Sequence, residues 1–268
     1  MKENNKSIGV FDSGLGGLTV LKELKKYMPN ESFIYFGDTA HLPYGNKSKQ
    51  SIIEYSIYIA NFLFSKNIKA LVVACNSASA VVLDVLEKKY SIPILNVIDP
   101  SIYHAVKHSK DKSIGIIGTE TTINSKTYNK KIHHIDSTIK VINQACPLFV
   151  PIIEEGLINH SFTLEIANFY LKKMNASDID TLILGCTHYP VMQNIFNKII
   201  NKNISIINSA EATAKYVNKY LLNKSLTMKL KSNNLDEYYV SDKPEQFDNL
   251  ADMFLGIKNI NVKYAPFI

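Results

Sequence analysis

Apolar residues in this chain gather into two kinds of run. Short blocks with almost no polar alternation recur at 8–12 (IGVFD), 33–38 (FIYFGD), 70–75 (ALVVAC), 93–98 (PILNVI), 113–119 (SIGIIGT), 181–186 (TLILGC) and 204–208 (ISIIN). Longer segments of helical period lie between or after them, at 18–27, 51–65, 79–90, 191–200 and 210–222. A strand whose both faces are apolar must be covered on both faces, which is the condition of a parallel sheet sandwiched by crossover helices. The pattern therefore predicts an α/β protein built on parallel sheets.

The pattern also repeats. SIGVFDSG at 7–14 resembles SIGIIGTE at 113–120, and ALVVACNSAS, which carries Cys75, resembles TLILGCTHYP, which carries Cys186. Two similar parallel-sheet α/β domains related by a pseudo-dyad would produce this order. The expected division is 1–99 plus 210–268 for the first domain and 100–209 for the second. Open α/β sheets bind ligands at the carboxyl ends of their strands, so the active site is expected in the cleft between the domains. Cys75 and Cys186 would face each other across it.

Composition narrows the setting. A chain of 268 residues that is 46% hydrophobic can bury a substantial core. Three cysteines are too few and too odd in number for a disulfide framework, so they are expected as free thiols in a reducing compartment, the cytoplasm. No charged leader followed by an apolar stretch opens the sequence, and no apolar run approaches the roughly 18 residues of a membrane span. The net charge of +6 comes from scattered lysines rather than from a basic stripe interleaved with aromatics, so neither a nucleic-acid nor a membrane partner is expected.

Two acid/base groups on opposite faces of one carbon suit the inversion of a stereocentre. A thiol whose pKa, normally about 8.5, is lowered by a cation or a helix N-terminus is a competent base at neutral pH. Both cysteines stand where a strand gives way to a helix, an environment expected to favour both thiolates. A lone buried cysteine more often only fills space, and Cys146, in QACPLFVP, reads as core. Asp12 closes the first strand and is either a turn carboxylate or a polar partner of Cys75. The SGLGG turn after it, with Asp38 further on, imitates a dinucleotide fingerprint, but the third glycine is missing and a carboxylate there would repel a pyrophosphate. His188, two residues beyond Cys186, can stabilise a thiolate as a cation or accept its proton. His133 and His134 have no such context and read as surface. No metal-ligand spacing appears, and two placed thiols make a cofactor redundant, so neither is expected.

The segments GVFDSGLGGLTVL, YFGDTAHLPYGNKS, VVACNSASA, GIIGTETTI, CPLFVPIIEEG and LILGCTHYP, with YYVSDKPEQFDNLADMFLG near the end, resemble in order those of the glutamate racemase family. The resemblance implies a cofactor-independent enzyme that interconverts L- and D-glutamate and supplies D-glutamate to peptidoglycan synthesis. It implies that Cys75 and Cys186 are the two catalytic bases, with Cys186 deprotonating L-glutamate and Cys75 deprotonating D-glutamate. Asp12, His188 and Glu154 join them as catalytic residues, Glu154 matching the family's functional glutamate and Glu155 being its solvent-facing neighbour. Substrate binding is assigned to Ser13, Tyr44, Gly45, Asn76, Ser77, Thr119 and Thr187, together with Asp12 and His188. A homodimer is admitted as the assembly. The chain departs from the resemblance at Ser77, where threonine is more common, at His41 and Leu42, and in the asparagine-rich stretch 201–234. Aspartate racemase shares the paired-cysteine design and is the alternative substrate reading. A nucleotide-binding regulatory protein built on the SGLGG turn is the alternative from another class.

Overall fold

In the computed structural model, residues 3–228, 235–257 and 260–267 are described. The first sheet begins with β1 (Ile8–Asp12), α1 (Gly17–Tyr27), β2 (Phe33–Gly37), α2 (Lys49–Ser65), β3 (Ala70–Val73), α3 (Asn76–Ser79), α4 (Leu83–Lys89) and β4 (Ile94–Asn96). After α5 (Ile98–His108), the chain builds a second sheet. Its elements are β5 (Ser113–Gly118), α6 (Glu120–Asn124), α7 (Thr127–Ile135), β6 (Lys140–Ala145), α8 (Phe149–Glu154), α9 (Ser161–Asn175), β7 (Thr181–Gly185), α10 (Gln193–Ile199) and β8 (Ser205–Asn208). Helix α11 (Ser209–Asn223) then leads back, and β9 (Glu237–Val240), α12 (Pro244–Leu255) and β10 (Val262–Tyr264) complete the first sheet.

Both sheets are parallel throughout, in the orders β10-β9-β2-β1-β3-β4 and β6-β5-β7-β8. The first four strands of each unit thus follow the same order, second-first-third-fourth. Strands β1, β2, β3, β5 and β7 are buried along their whole length. Their unbroken apolar sequences follow from that, since each face meets a helical layer and each large aliphatic side chain so buried contributes about 1.5–3 kcal/mol. Side-chain oxygens fix several helix starts: Ser48 accepts the Ser51 N–H at α2, Thr119 that of Thr122 at α6, and Asn208 that of Ala210 at α11. Helices α5 and α11 carry the chain between the sheets and pack on each other, and α11 also lies along α1.

Some expected elements are differently cut. The segment 79–90 is not one helix. α3 ends at Ser79, whose hydroxyl donates to the Val73 carbonyl at 3.0 Å and ties the short helix to the strand end, and α4 begins only at Leu83. The segment 191–200 opens with a 3-10 turn over Tyr189–Met192 that contains Pro190, and α10 starts at Gln193. Strand β4 covers only Ile94–Asn96, because Ile98 already opens α5. Within the asparagine-rich stretch, residues 229–234 lie outside the described residues. The preceding segment is anchored by a buried ion pair: Lys69 Nζ lies 2.5 Å from Glu31 and also donates to the Leu226 carbonyl, while Glu31 accepts the Met228 N–H. Among the described residues no helix is long and apolar enough to cross a membrane.

Candidate active site

In each unit the first strand lies between the second and third, so successive crossovers diverge and leave a crevice at the carboxyl ends. Asp12 closes β1 and Cys75 follows β3, while Thr119 follows β5 and Cys186 follows β7. These four ends meet around a small cavity of about 20 Å³ lined by Ser13, Pro43, Tyr44, Gly45, Cys75, Asn76, Ser77, Thr119, Val150, Glu154, Cys186, Thr187 and His188. Every sequence-assigned site residue is on this wall except Asp12, which is fully buried one layer behind it. Such a volume holds about one water. Glu154 also lines an adjoining hollow of about 250 Å³ with Leu42 and Glu155, so its side chain stands between the two spaces.

Around Cys75 the sulfur faces few donors. Cys75 Sγ lies 3.5 Å from Ser13 Oγ and accepts the Ala78 N–H of α3 at 3.4 Å. Burial, then the nearby Asp12 charge, push the thiol up to about 12, against the smaller opposing effect of those two hydrogen bonds. The helix end expected to favour a thiolate does not do so at Cys75: the one-turn α3 contributes one weak N–H···S bond, which does not offset desolvation beside a carboxylate, and Cys75 rests as a thiol. Asp12 is itself raised by burial, although His188 and the Gly17 and Gly14 N–H groups work the other way. Its Oδ2 accepts the Gly14 N–H at 3.0 Å and its Oδ1 the Thr187 hydroxyl at 3.2 Å. The carboxylate so fills the SGLGG turn that an incoming phosphate would find its donors taken, which disfavours the dinucleotide reading.

Around Cys186 the environment is opposite in sign. His188 Nδ1 lies 3.9 Å from Cys186 Sγ, and its Nε2 lies 3.0 Å from Glu154 Oε1. Burial alone would lower the imidazolium, but the hydrogen bonds and charges of Cys186 and Glu154 more than offset it and push His188 up to about 10. His188 is therefore a cation at neutral pH, held between the sulfur and a carboxylate. Glu155, next to Glu154, faces the outer hollow instead.

The two halves are stitched together at close range. Ser77 Oγ lies 2.9 Å from Thr119 Oγ1, Thr19 donates to the Thr187 carbonyl at 2.8 Å, and Thr121 donates to the Gly45 carbonyl at 2.9 Å. A Cβ on Gly16 would stand 2.3 Å from Thr187 Oγ1 and 2.4 Å from His188 Nδ1, and one on Gly45 would stand 2.7 Å from the Thr119 side chain. Gly16 has ordinary right-handed dihedrals (φ −56°, ψ −36°), so it is glycine for space rather than for backbone freedom. Asn76 donates to the Tyr128 hydroxyl at 2.9 Å, while its Oδ1 is a buried acceptor with no protein partner.

Several contributors have no local sequence signal. Tyr128, within the lysine-rich α7, orients Asn76 across the seam. Tyr35 donates to the Gly14 carbonyl at 2.7 Å and holds the turn after Asp12. Asp38 accepts the Tyr44 hydroxyl at 2.5 Å, and its place in YFGDTAHLPYG could have been weighed as support for Tyr44. Cys146 is fully buried core, and His133 and His134 are exposed. No three His, Cys, Asp or Glu side chains form a metal-ligand group among the described residues.

Residues 9–217 match the family model described as Asp/Glu/Hydantoin racemase. A glutamate racemase of Geobacter metallireducens is 44% identical over 253 residues, covering 94% of each chain. The crystal structure of glutamate racemase isoform RacE1 from Bacillus anthracis superposes with a TM-score of 0.92 at 36% identity, over 98% of both chains. The glutamate racemase of Francisella tularensis, solved in complex with D-glutamate, gives a TM-score of 0.91 at 36% identity, again over 98% of both chains.

Proposed function

The chain belongs to the glutamate racemases of the Asp/Glu/Hydantoin racemase family, and we propose that it interconverts L- and D-glutamate by two-base proton transfer between Cys186 and Cys75. The observation that carries the mechanism is the pairing of unequal thiols on one cavity. A racemase turning over L-glutamate needs a thiolate on one side of the α-carbon and a thiol on the other. The His188 cation lies 3.9 Å from Cys186 Sγ, the place for the base, and burial beside Asp12 keeps Cys75 protonated.

In this reading Cys186 takes the α-proton of L-glutamate, the carbanionic species is held by neighbouring donors, and Cys75 delivers its proton to the opposite face. The reverse reaction starts from the exchanged protonation state. Asp12 and Glu154 act behind the sulfurs, Asp12 on the Cys75 side and Glu154 through His188. The chain contains no arginine, so the two substrate carboxylates fall to hydroxyls, amides and backbone N–H groups. Ser13, Ser77, Thr119 and Thr187, with Asn76, Tyr44 and Gly45, supply these on the cavity wall. The two sheets with their helices are read as domains 1–99 plus 210–268 and 100–209, working as a cytoplasmic homodimer that supplies D-glutamate for peptidoglycan. The three free thiols suit a reducing location.

The test is racemisation of each glutamate enantiomer in deuterated water, with aspartate as control. Early D-glutamate formed from L-glutamate should be almost fully deuterated while the remaining L-glutamate stays unlabelled, and the mirror experiment should give the mirror result. Cys75→Ser and Cys186→Ser should each lose at least about 10³-fold in kcat/KM, since a serine hydroxyl is far too weak an acid to replace a thiolate. Retention of the original hydrogen in early product, or near-normal turnover in either mutant, refutes the two-base reading. Faster turnover of aspartate would move the substrate assignment.

A further inference from the structure

The segment after β2 carries Tyr44 and Gly45 onto the cavity wall, and on its other side it rests on a cluster that the chemistry above does not use. His41 Nδ1 lies 2.9 Å from Oδ1 of the buried Asp38, which also accepts the Ser241 hydroxyl at 2.7 Å and, through Oδ2, that of Tyr44. The His41 ring stacks on Tyr55 of α2, with centroids 4.0 Å apart and planes inclined by 19°. Phe267 closes its other side at 4.7 Å and 70°. Phe267 is itself stacked on Tyr58 at 4.0 Å, the Tyr58 hydroxyl donates to the Pro266 carbonyl at 2.7 Å, and the Ala265 N–H donates to the Val240 carbonyl at 2.8 Å. The residues beyond β10 are thus pinned to α2 and β9, and their last described ring bears on His41.

We propose that His41 is a positioning residue for the substrate-facing segment Pro43–Gly45, and that Phe267 clamps it in place. Two neighbours at near-perpendicular settings leave the imidazole one orientation, the one that reaches Asp38. His41 Nδ1 also lies 3.1 Å from Asp38 Oδ2, the oxygen that accepts the Tyr44 hydroxyl, and Tyr44 leans on Tyr55 at 5.7 Å. Removing His41 leaves Asp38 its Ser241 and Tyr44 donors, so the fold persists while the segment loses a constraint. Tyr44 and Gly45 line the cavity but make no hydrogen bond to either sulfur, so the loss falls on substrate binding more than on proton transfer.

The inference rests on the racemase reading, and the test separates the two. Racemisation kinetics for both enantiomers are measured for wild-type protein, His41→Leu, His41→Gln, Phe267→Ala, Phe267→Tyr and the His41→Leu/Phe267→Ala double variant, with thermal melts alongside. His41→Leu and Phe267→Ala should each raise KM about tenfold with kcat within about threefold, the size expected for losing one hydrogen bond to a charged group. His41→Gln, which keeps an N–H donor, and Phe267→Tyr should recover most of the loss. The double variant should be no worse than the worse single one, because both act on one constraint. KM within twofold of wild type in both single variants, additive effects in the double, or a fall in kcat at constant KM each overturn the proposal. If His41→Leu does not fold, Phe267→Ala decides by the same criterion. A wild-type protein inactive on glutamate refutes the racemase reading instead.

Discussion

Replacing His188 with asparagine keeps a side-chain N–H donor near the Nδ1 position, gives up the reach to Glu154 and removes the charge. In the folded protein the imidazolium pKa stands at about 10 against an ordinary 6.5. At about 1.4 kcal/mol per pKa step, that difference amounts to about 5 kcal/mol of interaction favouring the cation, shared between Cys186 and Glu154. The contact of the cation with Cys186 Sγ, at 3.9 Å, is a hydrogen bond to a charged group, worth about 1.5–3 kcal/mol, so the His188→Asn protein should lose about 10- to 150-fold in kcat/KM at pH 7. The enantiomers have equal free energies, so kcat/KM must fall by the same factor in both directions, which initial rates followed by circular dichroism from each enantiomer can check. The sign with pH is also fixed. In the wild-type protein the charged pair is present below about pH 10 and is lost as His188 deprotonates above it. The variant has no cation to lose, so the deficit should shrink as pH rises through about 10. A loss of less than threefold at pH 7, or a deficit independent of pH, refutes the ion-pair reasoning.

Cys75→Ala should flatten the alkaline side of the stability curve. The folded thiol is pushed up to about 12, so between about pH 9 and that value the unfolded chain releases a proton that the folded chain keeps, and stability falls by about 1.4 kcal/mol per pH unit from this group. Melts at pH 8 and pH 10.5 should separate less in the variant, and an unchanged separation refutes the burial argument. Gly16→Ala should cost about 1–3 kcal/mol in urea denaturation and reduce kcat more than tenfold, because the new Cβ would stand 2.3 Å from Thr187 and 2.4 Å from His188. Wild-type kinetics there would mean that the seam yields. Lys69→Met should destabilise by about 3–5 kcal/mol by leaving Glu31 buried without its cation, and Lys69→Met/Glu31→Leu should recover part of the loss. A single variant as stable as wild type would show that Glu31 protonates or finds another partner.

The central strands were legible because burial on both faces leaves nothing to alternate: IGVFD, ALVV and TLILG could scarcely sit anywhere but inside a helix-covered sheet. The strands that escaped notice are at or near sheet margins. β6 reads KVINQA and is largely half-buried, and β10 reads VKY and is mostly exposed, so neither carries the apolar run that marks an interior strand. Helix α9, SFTLEIANFYLKKMN, buries a narrow stripe through Thr163, Ala167, Tyr170, Leu171 and Met174, too mixed in chemistry to stand out. The cavity wall was legible wherever a strand end announced it. The residues behind it were not, since Tyr128 reaches Asn76 over 52 positions and Ser241 reaches Asp38 over 203, and no local pattern encodes such a meeting.

The surroundings of the two cysteines belong to this second class, and they show where sequence similarity stops informing chemistry. Cys75 and Cys186 follow equivalent strands in the two sheets and carry similar flanking sequences, which argues for similar surroundings. The environments that fold around them differ in sign. Cys75 is packed near the Asp12 carboxylate, which closes β1, whereas Cys186 is packed beside His188, which its own motif supplies and which Glu154 holds from α8. Identical partners on both sides would leave the site with two acids or two bases, and proton transfer across a carbon needs one of each. In the proposed two-base reading, the duplicated strand ends deliver the two sulfurs, and the unequal neighbours set which one starts as the base. Thr187 then matters for its place between them: it follows Cys186 in the chain and donates to Asp12, so the carboxylate that raises one thiol is fixed by the motif of the other.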